Sequence, residues 1–217
     1  MSGDLKEPGK SIPKGTMAAV LAGLSPLGGP ASLHAQENVD PFADGPDVLT
    51  GSTHKTFFGP QRGVVVSNFE KGHDLRKLWI EIKGRAFPGS TSNHHLGTLL
   101  GLLAATYEMN AFKEEYQKAV IANARSFARA LGAEGLTVAG DPGVGYTETH
   151  QVVVNVGYGF GPEAAGNLEA SNIICNYQAS PDEEGFTASG ALRMVVQEMT
   201  RFGMKPADFQ ELAQFIH

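Results

Sequence analysis

Apolar positions along the chain fall into short runs and periodic stretches, separated by joints rich in Gly, Pro and small polar residues. Residues 1–15 are polar, rich in Gly, Pro and Lys and without period, which predicts a disordered lead-in. Met17 to Leu24 reads as a buried strand or short helix, and a long loop from Gly28 carries the chain to Asp47. The β-branched run Gly63-Val64-Val65-Val66 predicts a strand over 62–67. Residues 69–83 have a helical period, with Leu75, Leu78, Trp79 and Ile82 on one side. A loop over 87–93 leads into a nearly all-apolar helix, Leu96 to Met109, whose leucines predict burial on most sides.

The second half of the chain changes character. Residues 111–131 form an amphipathic helix with Phe112, Tyr116, Val120, Phe127 and Leu131 as its stripe and Gly132 as its C-cap. Strands are predicted over 136–139, 150–156, 173–176 and 192–196, and helices over 162–171 and 206–216. This order predicts an α/β chain: part of a large domain over 16–110, a connecting helix over 111–132, and a small C-terminal α/β domain over 133–217.

Composition narrows the picture. The 217 residues suffice for a buried core, and 27 glycines with 18% charged residues suit an α/β protein with many tight turns. With 17 basic against 23 acidic residues, a net charge of -6 leaves no basic field for nucleic acid. The single cysteine, Cys175, has no partner for an internal disulfide and points to a reducing cytoplasm. No apolar run is long enough to span a bilayer. Lys10 and Lys14 before the apolar run, with Leu33-His34-Ala35 after it, imitate a cleaved leader, but Ser25-Pro26 interrupts the run and a buried strand explains the same residues.

The densest chemistry lies in Asp47 to Gly63, DVLTGSTHKTFFGPQRG. Lys55 stands between His54 and Thr56, behind Thr50, Ser52 and Thr53 and ahead of a Gly-Pro turn and the valine strand. A lysine acts as a nucleophile when its amine sits in a partly dry place on a rigid support, and small polar residues let a ligand approach closely. His54 either bonds backbone in the tight loop or stands beside a ligand. In the second half Arg193, just inside a strand after Ser189-Gly190, can offer a fork to a carboxylate or pair with Glu198 on the surface. Ser92 and Asn93 either cap the apolar helix or donate to an anion. His94, His95 and His150 form no metal-ligand pattern, so no metal is expected.

THKT followed by GP and a Gly-Val strand resembles the cofactor-lysine segment of serine hydroxymethyltransferase and its relatives, and SGALRMVVQEMTRFGM resembles their carboxylate-binding segment. Gly59-Pro60-Gln61-Arg62-Gly63, Thr147 to Gln151 and Val196 to Arg201 lean toward a divergent branch similar to threonine transaldolases. The resemblance runs from about residue 18 to 217 and implies a C-terminal portion of a fold-type-I pyridoxal-phosphate enzyme. By the same resemblance Lys55 holds pyridoxal phosphate with His54 beside it, and Thr53, Ser52 and Gln61 line the cofactor. Ser92 and Asn93 reach a partner subunit's cofactor phosphate in a homodimer, and Arg193 binds the carboxylate of glycine, serine or threonine. It implies chemistry at the Cα–Cβ bond of a β-hydroxy amino acid. Two departures stand against it. Where the family has a ring-nitrogen aspartate in D-x-A-H, residues 16–20 read TMAAV, and where it has a folate-contacting asparagine, residues 180–183 read SPDE. Folate use is therefore not implied, and a non-catalytic remnant that keeps the dimer surface is the alternative.

Overall fold

A computed structural model describes residues 46–69, 72–93, 95–180 and 189–216. The lead-in, the apolar run 17–24, most of the loop that follows it, the TMAAV segment, His94 and residues 181–183 lie outside the described residues. The chain divides into two compact units, residues 1–113 and 114–217.

In the first unit, β1 (Leu49–Ser52) and β2 (Gly63–Val66) form an antiparallel ladder in which Leu49 faces Val66 and Ser52 faces Gly63. The valine strand was expected; its partner LTGS has too few β-branched residues to be legible as a strand. Helix α1 (Arg76–Gly84) starts later than the period suggests. Residues before it form a turn, with Gly72 at φ 101°, the Arg76 N–H donating to the His73 carbonyl at 3.0 Å and the Leu75 N–H to His73 Nδ1 at 3.1 Å. An irregular wide turn over 85–90 follows, closed by the Thr91 N–H on the Ala86 carbonyl at 3.0 Å.

Helix α2 runs unbroken from Leu96 to Ala133, so the expected break near Asn110 does not exist. Residues 96–113 belong to the first unit and the rest to the second. Burial of the apolar helix on most sides is also overturned. Ala105 and Met109 are buried and Leu102 is half-buried, but Leu96, Leu99, Leu100 and Leu103 are exposed. Only the stripe at helical spacing turns inward, because one face of a helix is all that a single neighbouring layer can cover.

The second unit is a four-stranded antiparallel sheet, order β3-β4-β6-β5, built from β3 (Thr137–Val138), β4 (Gln151–Asn155), β5 (Asn176–Gln178) and β6 (Ala191–Val195). Three helices, α3 (Gly161–Ala170), α4 (Gln197–Arg201) and α5 (Pro206–Ile216), complete it. Strand alternation sorts the side chains. Val152, Val154, Leu192 and Met194 are buried in one core with Val120, Ala124, Phe127, Ala128 and Leu131 of α2 and Phe209 and Ala213 of α5. Phe127 and Phe209 meet with ring centroids 5.5 Å apart.

Helix ends account for the remaining boundary differences. Gly132 lies inside α2, where a Cβ would stand 3.0 Å from the Tyr146 hydroxyl; the left-handed cap is Gly135 at φ 91°, and the Leu136 N–H reaches the Leu131 carbonyl at 3.1 Å. Asn172 (φ 64°) ends α3 the same way, with the Ile173 N–H on the Leu168 carbonyl at 2.9 Å. That cap consumes Ile173, and the strand expected at 173–176 begins instead at Asn176.

Candidate active site

The hairpin of β1 and β2 carries the lysine in its loop. Thr53, at the end of β1, is buried, and its backbone N–H donates to the Arg62 carbonyl at 3.0 Å. Its hydroxyl lies against the Pro60 carbonyl and the Arg62 carbonyl. The Gly59 N–H returns to the Thr53 carbonyl at 2.7 Å, and the Phe58 N–H closes a turn on the Lys55 carbonyl at 3.0 Å, with Phe58 at φ 56°. Phe57 plugs the loop from inside, fully buried. Gly59 is required by closeness, since a Cβ there would stand 2.7 Å from the Thr53 carbonyl oxygen.

These bonds fix the loop and leave His54 and Lys55 exposed at its tip. Ser52 is half-buried in β1, and Gln61 is exposed at the loop's far end. The Gln61 carbonyl accepts from Arg62 Nη1 at 2.8 Å, and Arg62 Nη2 reaches Thr98 Oγ1 at 3.4 Å. The loop thus gives Lys55 the rigid support expected of an amine nucleophile, but not the partly dry surroundings, since its side chain is exposed.

Ser92 and Asn93 are exposed ahead of α2. Neither occupies the position that precedes Leu96; there the His95 carbonyl accepts from the Leu99 N–H at 3.1 Å and from Thr98 Oγ1 at 2.8 Å. Among the described residues, no group of three or more His, Cys, Asp or Glu side chains is arranged to hold a metal ion. None of the described helices is long and apolar enough to cross a membrane.

In the second unit Arg193 stands in the middle of β6, facing Val153 of β4 and Asn176 of β5 across the ladders. It therefore shares the sheet face opposite the core with Gln151, Asn155, Asn176 and Gln178. Its Nε is buried, and among the described residues it has no hydrogen-bond partner and makes no ion pair with Glu198. Asn155 Oδ1 on the same face is likewise buried and unmatched. Asn155 was not singled out in the sequence, although its signal is there: in Gln151-Val152-Val153-Val154-Asn155 the polar ends alternate with the core valines.

Two other segments marked in the sequence have structural work. Thr147 to Gln151 is a hydroxyl-braced turn, in which Thr147 Oγ1 accepts from the Thr149 N–H at 3.1 Å and Thr149 Oγ1 from the Gln151 N–H at 3.2 Å. In Val196 to Arg201, Thr200 Oγ1 donates to the Val196 carbonyl at 2.7 Å.

Comparison with known proteins gives the chain a family. The serine hydroxymethyltransferase family model matches residues 10–216. Serine hydroxymethyltransferase of Pyrobaculum calidifontis is 42% identical over 178 residues, covering 82% of this chain and 40% of that protein. The enzyme of Nitrosopumilus maritimus is 41% identical over 182 residues, with the same shares of 82% and 40%. Among solved structures, L-threonine transaldolase from Pseudomonas fluorescens aligns with a TM-score of 0.73 at 34% identity, covering 81% of this chain and 39% of that one. The chain spans about 40% of the length of the curated relatives it matches. On the match over residues 10–216 and these identities, the chain belongs to the serine hydroxymethyltransferase family, pyridoxal-phosphate enzymes of fold type I.

Proposed function

We propose that the chain carries the lysine and carboxylate-binding parts of a pyridoxal-phosphate enzyme that makes or breaks the Cα–Cβ bond of a β-hydroxy amino acid. The supporting observation is the closed loop that holds Lys55 exposed at its tip, braced by buried Thr53 and Phe57. Its residues fit the cofactor: Lys55 holds it covalently, His54, Ser52 and Gln61 stand around the lysine, and Thr53 keeps the loop in shape. Pyridoxal phosphate, when bound, supplies an electron sink for chemistry at an amino acid's α-carbon. Arg193, with an unmatched Nε, binds the carboxylate of a glycine-, serine- or threonine-type substrate. Ser92 and Asn93 donate to the cofactor phosphate of a second copy in a homodimer. Residues 16–110 serve as part of the cofactor domain, 111–132 as the connecting helix and 133–217 as the substrate domain. Incubation with pyridoxal phosphate, borohydride reduction and peptide mapping tests the reading; a label on any residue other than Lys55 overturns it.

A second reading is a remnant that binds cofactor without turnover. It is favoured by residues 16–20, TMAAV, which offer neither the acid nor the histidine of the family's D-x-A-H strand. It predicts labelling of Lys55 with no release of acetaldehyde from L-threonine.

A further inference from the structure

The sheet face that carries Arg193 holds two buried polar atoms that no group among the described residues satisfies, Arg193 Nε and Asn155 Oδ1. One is a donor and the other an acceptor. They belong to neighbouring strands: Arg193 faces Val153, and Asn155 faces Ala191, two pairs further along the β4–β6 ladder and next on the same face. Diagonal neighbours of this kind lie about 7 to 8 Å apart at the backbone, within reach of one long side chain and one small ligand. The residues opposite them, Val153 and Ala191, share that face.

A buried polar atom without a partner is costly, and two of opposite kind on one face call for a ligand that offers both an acceptor and a donor. A carboxylate satisfies the guanidinium with a charge-assisted bond. A hydroxyl one carbon beyond the α-carbon satisfies the amide, and because a hydroxyl both donates and accepts, it pairs with either end of the asparagine. We propose that Asn155 is a specificity-determining residue, which hydrogen-bonds the β-hydroxyl of the amino acid whose carboxylate Arg193 holds. This rests on the carboxylate role of Arg193 proposed above. It separates serine and threonine from substrates without a hydroxyl, since those leave the amide oxygen dry and unpaired.

Calorimetric titration of the full chain with L-serine and with L-2-aminobutyrate, in the presence of pyridoxal phosphate, tests it. The two ligands differ by a hydroxyl in place of a methyl group. The unaltered chain is expected to bind L-serine about tenfold more tightly. Asn155→Leu closes that gap, Asn155→Ser, which keeps a hydroxyl, restores part of it, and Arg193→Met weakens both ligands alike. A gap that survives in both Asn155 variants, or an equal loss for both ligands, overturns the specificity role and leaves a bound water or a purely structural asparagine. If Arg193→Met changes neither affinity, or neither ligand binds the unaltered chain, the carboxylate reading falls and this inference with it.

Discussion

Asn123, buried in α2, donates through Nδ2 to Thr200 Oγ1 at 2.9 Å and to the Met204 carbonyl at 2.9 Å, tying the long helix to the turn that ends α4. Each acceptor lies far along the chain, so the pair fixes where α4 and the start of α5 rest against α2. Asn123→Ala removes the shared donor and leaves the Met204 carbonyl unmatched, at a cost of about 1–3 kcal/mol. Thr200→Val removes one of the two bonds and is expected to cost less. Urea unfolding of both variants and their combination would show coupling; strictly additive losses would contradict the link.

Tyr116 gives a pH signature. Its hydroxyl donates to the Gln197 carbonyl at 3.1 Å, and burial pushes the phenol far above its ordinary value, with the charge of Arg201 pulling weakly the other way. A raised phenol means that the native state holds this proton more tightly than the unfolded chain. The associated stability is present below about pH 10, the ordinary phenol value, and is lost as pH rises from there toward the native value. Tyr116→Phe is expected to cost about 1 kcal/mol at pH 8 and to flatten the loss of stability above pH 10. Melts at pH 8, 9.5 and 11 measure it; parallel curves for the two proteins would refute the assignment.

The lysine loop depends on Gly59 for closeness alone. Gly59→Ala would press a methyl group against the Thr53 carbonyl oxygen, a backbone atom held by the hairpin, and would open the 2.7 Å bond between them. The expected cost is about 1–3 kcal/mol, and reductive labelling of Lys55 by pyridoxal phosphate should slow together with it. Unchanged labelling in a destabilised variant would show that the loop's shape does not govern the lysine.

Much of this was legible in the sequence because local chemistry and tertiary structure agree there. The valine strand and the stripe of Val120, Phe127 and Leu131 keep in the fold the places their patterns imply, whereas Phe112, assigned to the same stripe, is exposed. Differences arise where one pattern serves two masters. Gly132 looks like a cap, but it is small because Tyr146 approaches it, and the cap falls three residues later. LTGS is a strand because the valine strand gives it a ladder, which no propensity of its own announces. Arg193 and Asn155 are three-dimensional neighbours through register, and register between strands distant in sequence is not written in either strand alone.

The leucines of α2 yield the last prediction. Leu96, Leu100, Leu103 and Tyr107 follow one helical face at spacings of four, three and four residues, and they are exposed by 63%, 65%, 49% and 68%. A contiguous apolar face of this kind binds hydrophobic dyes and contributes little to the chain's own stability. Replacing Leu100 by Lys and Leu103 by Glu should lower dye fluorescence while changing the unfolding free energy by no more than about 0.5 kcal/mol for each position. Were the same side chains packed within the chain, each charge would lose its hydration on folding and the pair would cost several kcal/mol. A large drop in the urea midpoint would therefore show that these leucines are covered in solution, and an unchanged midpoint with weaker dye binding that they form an open face.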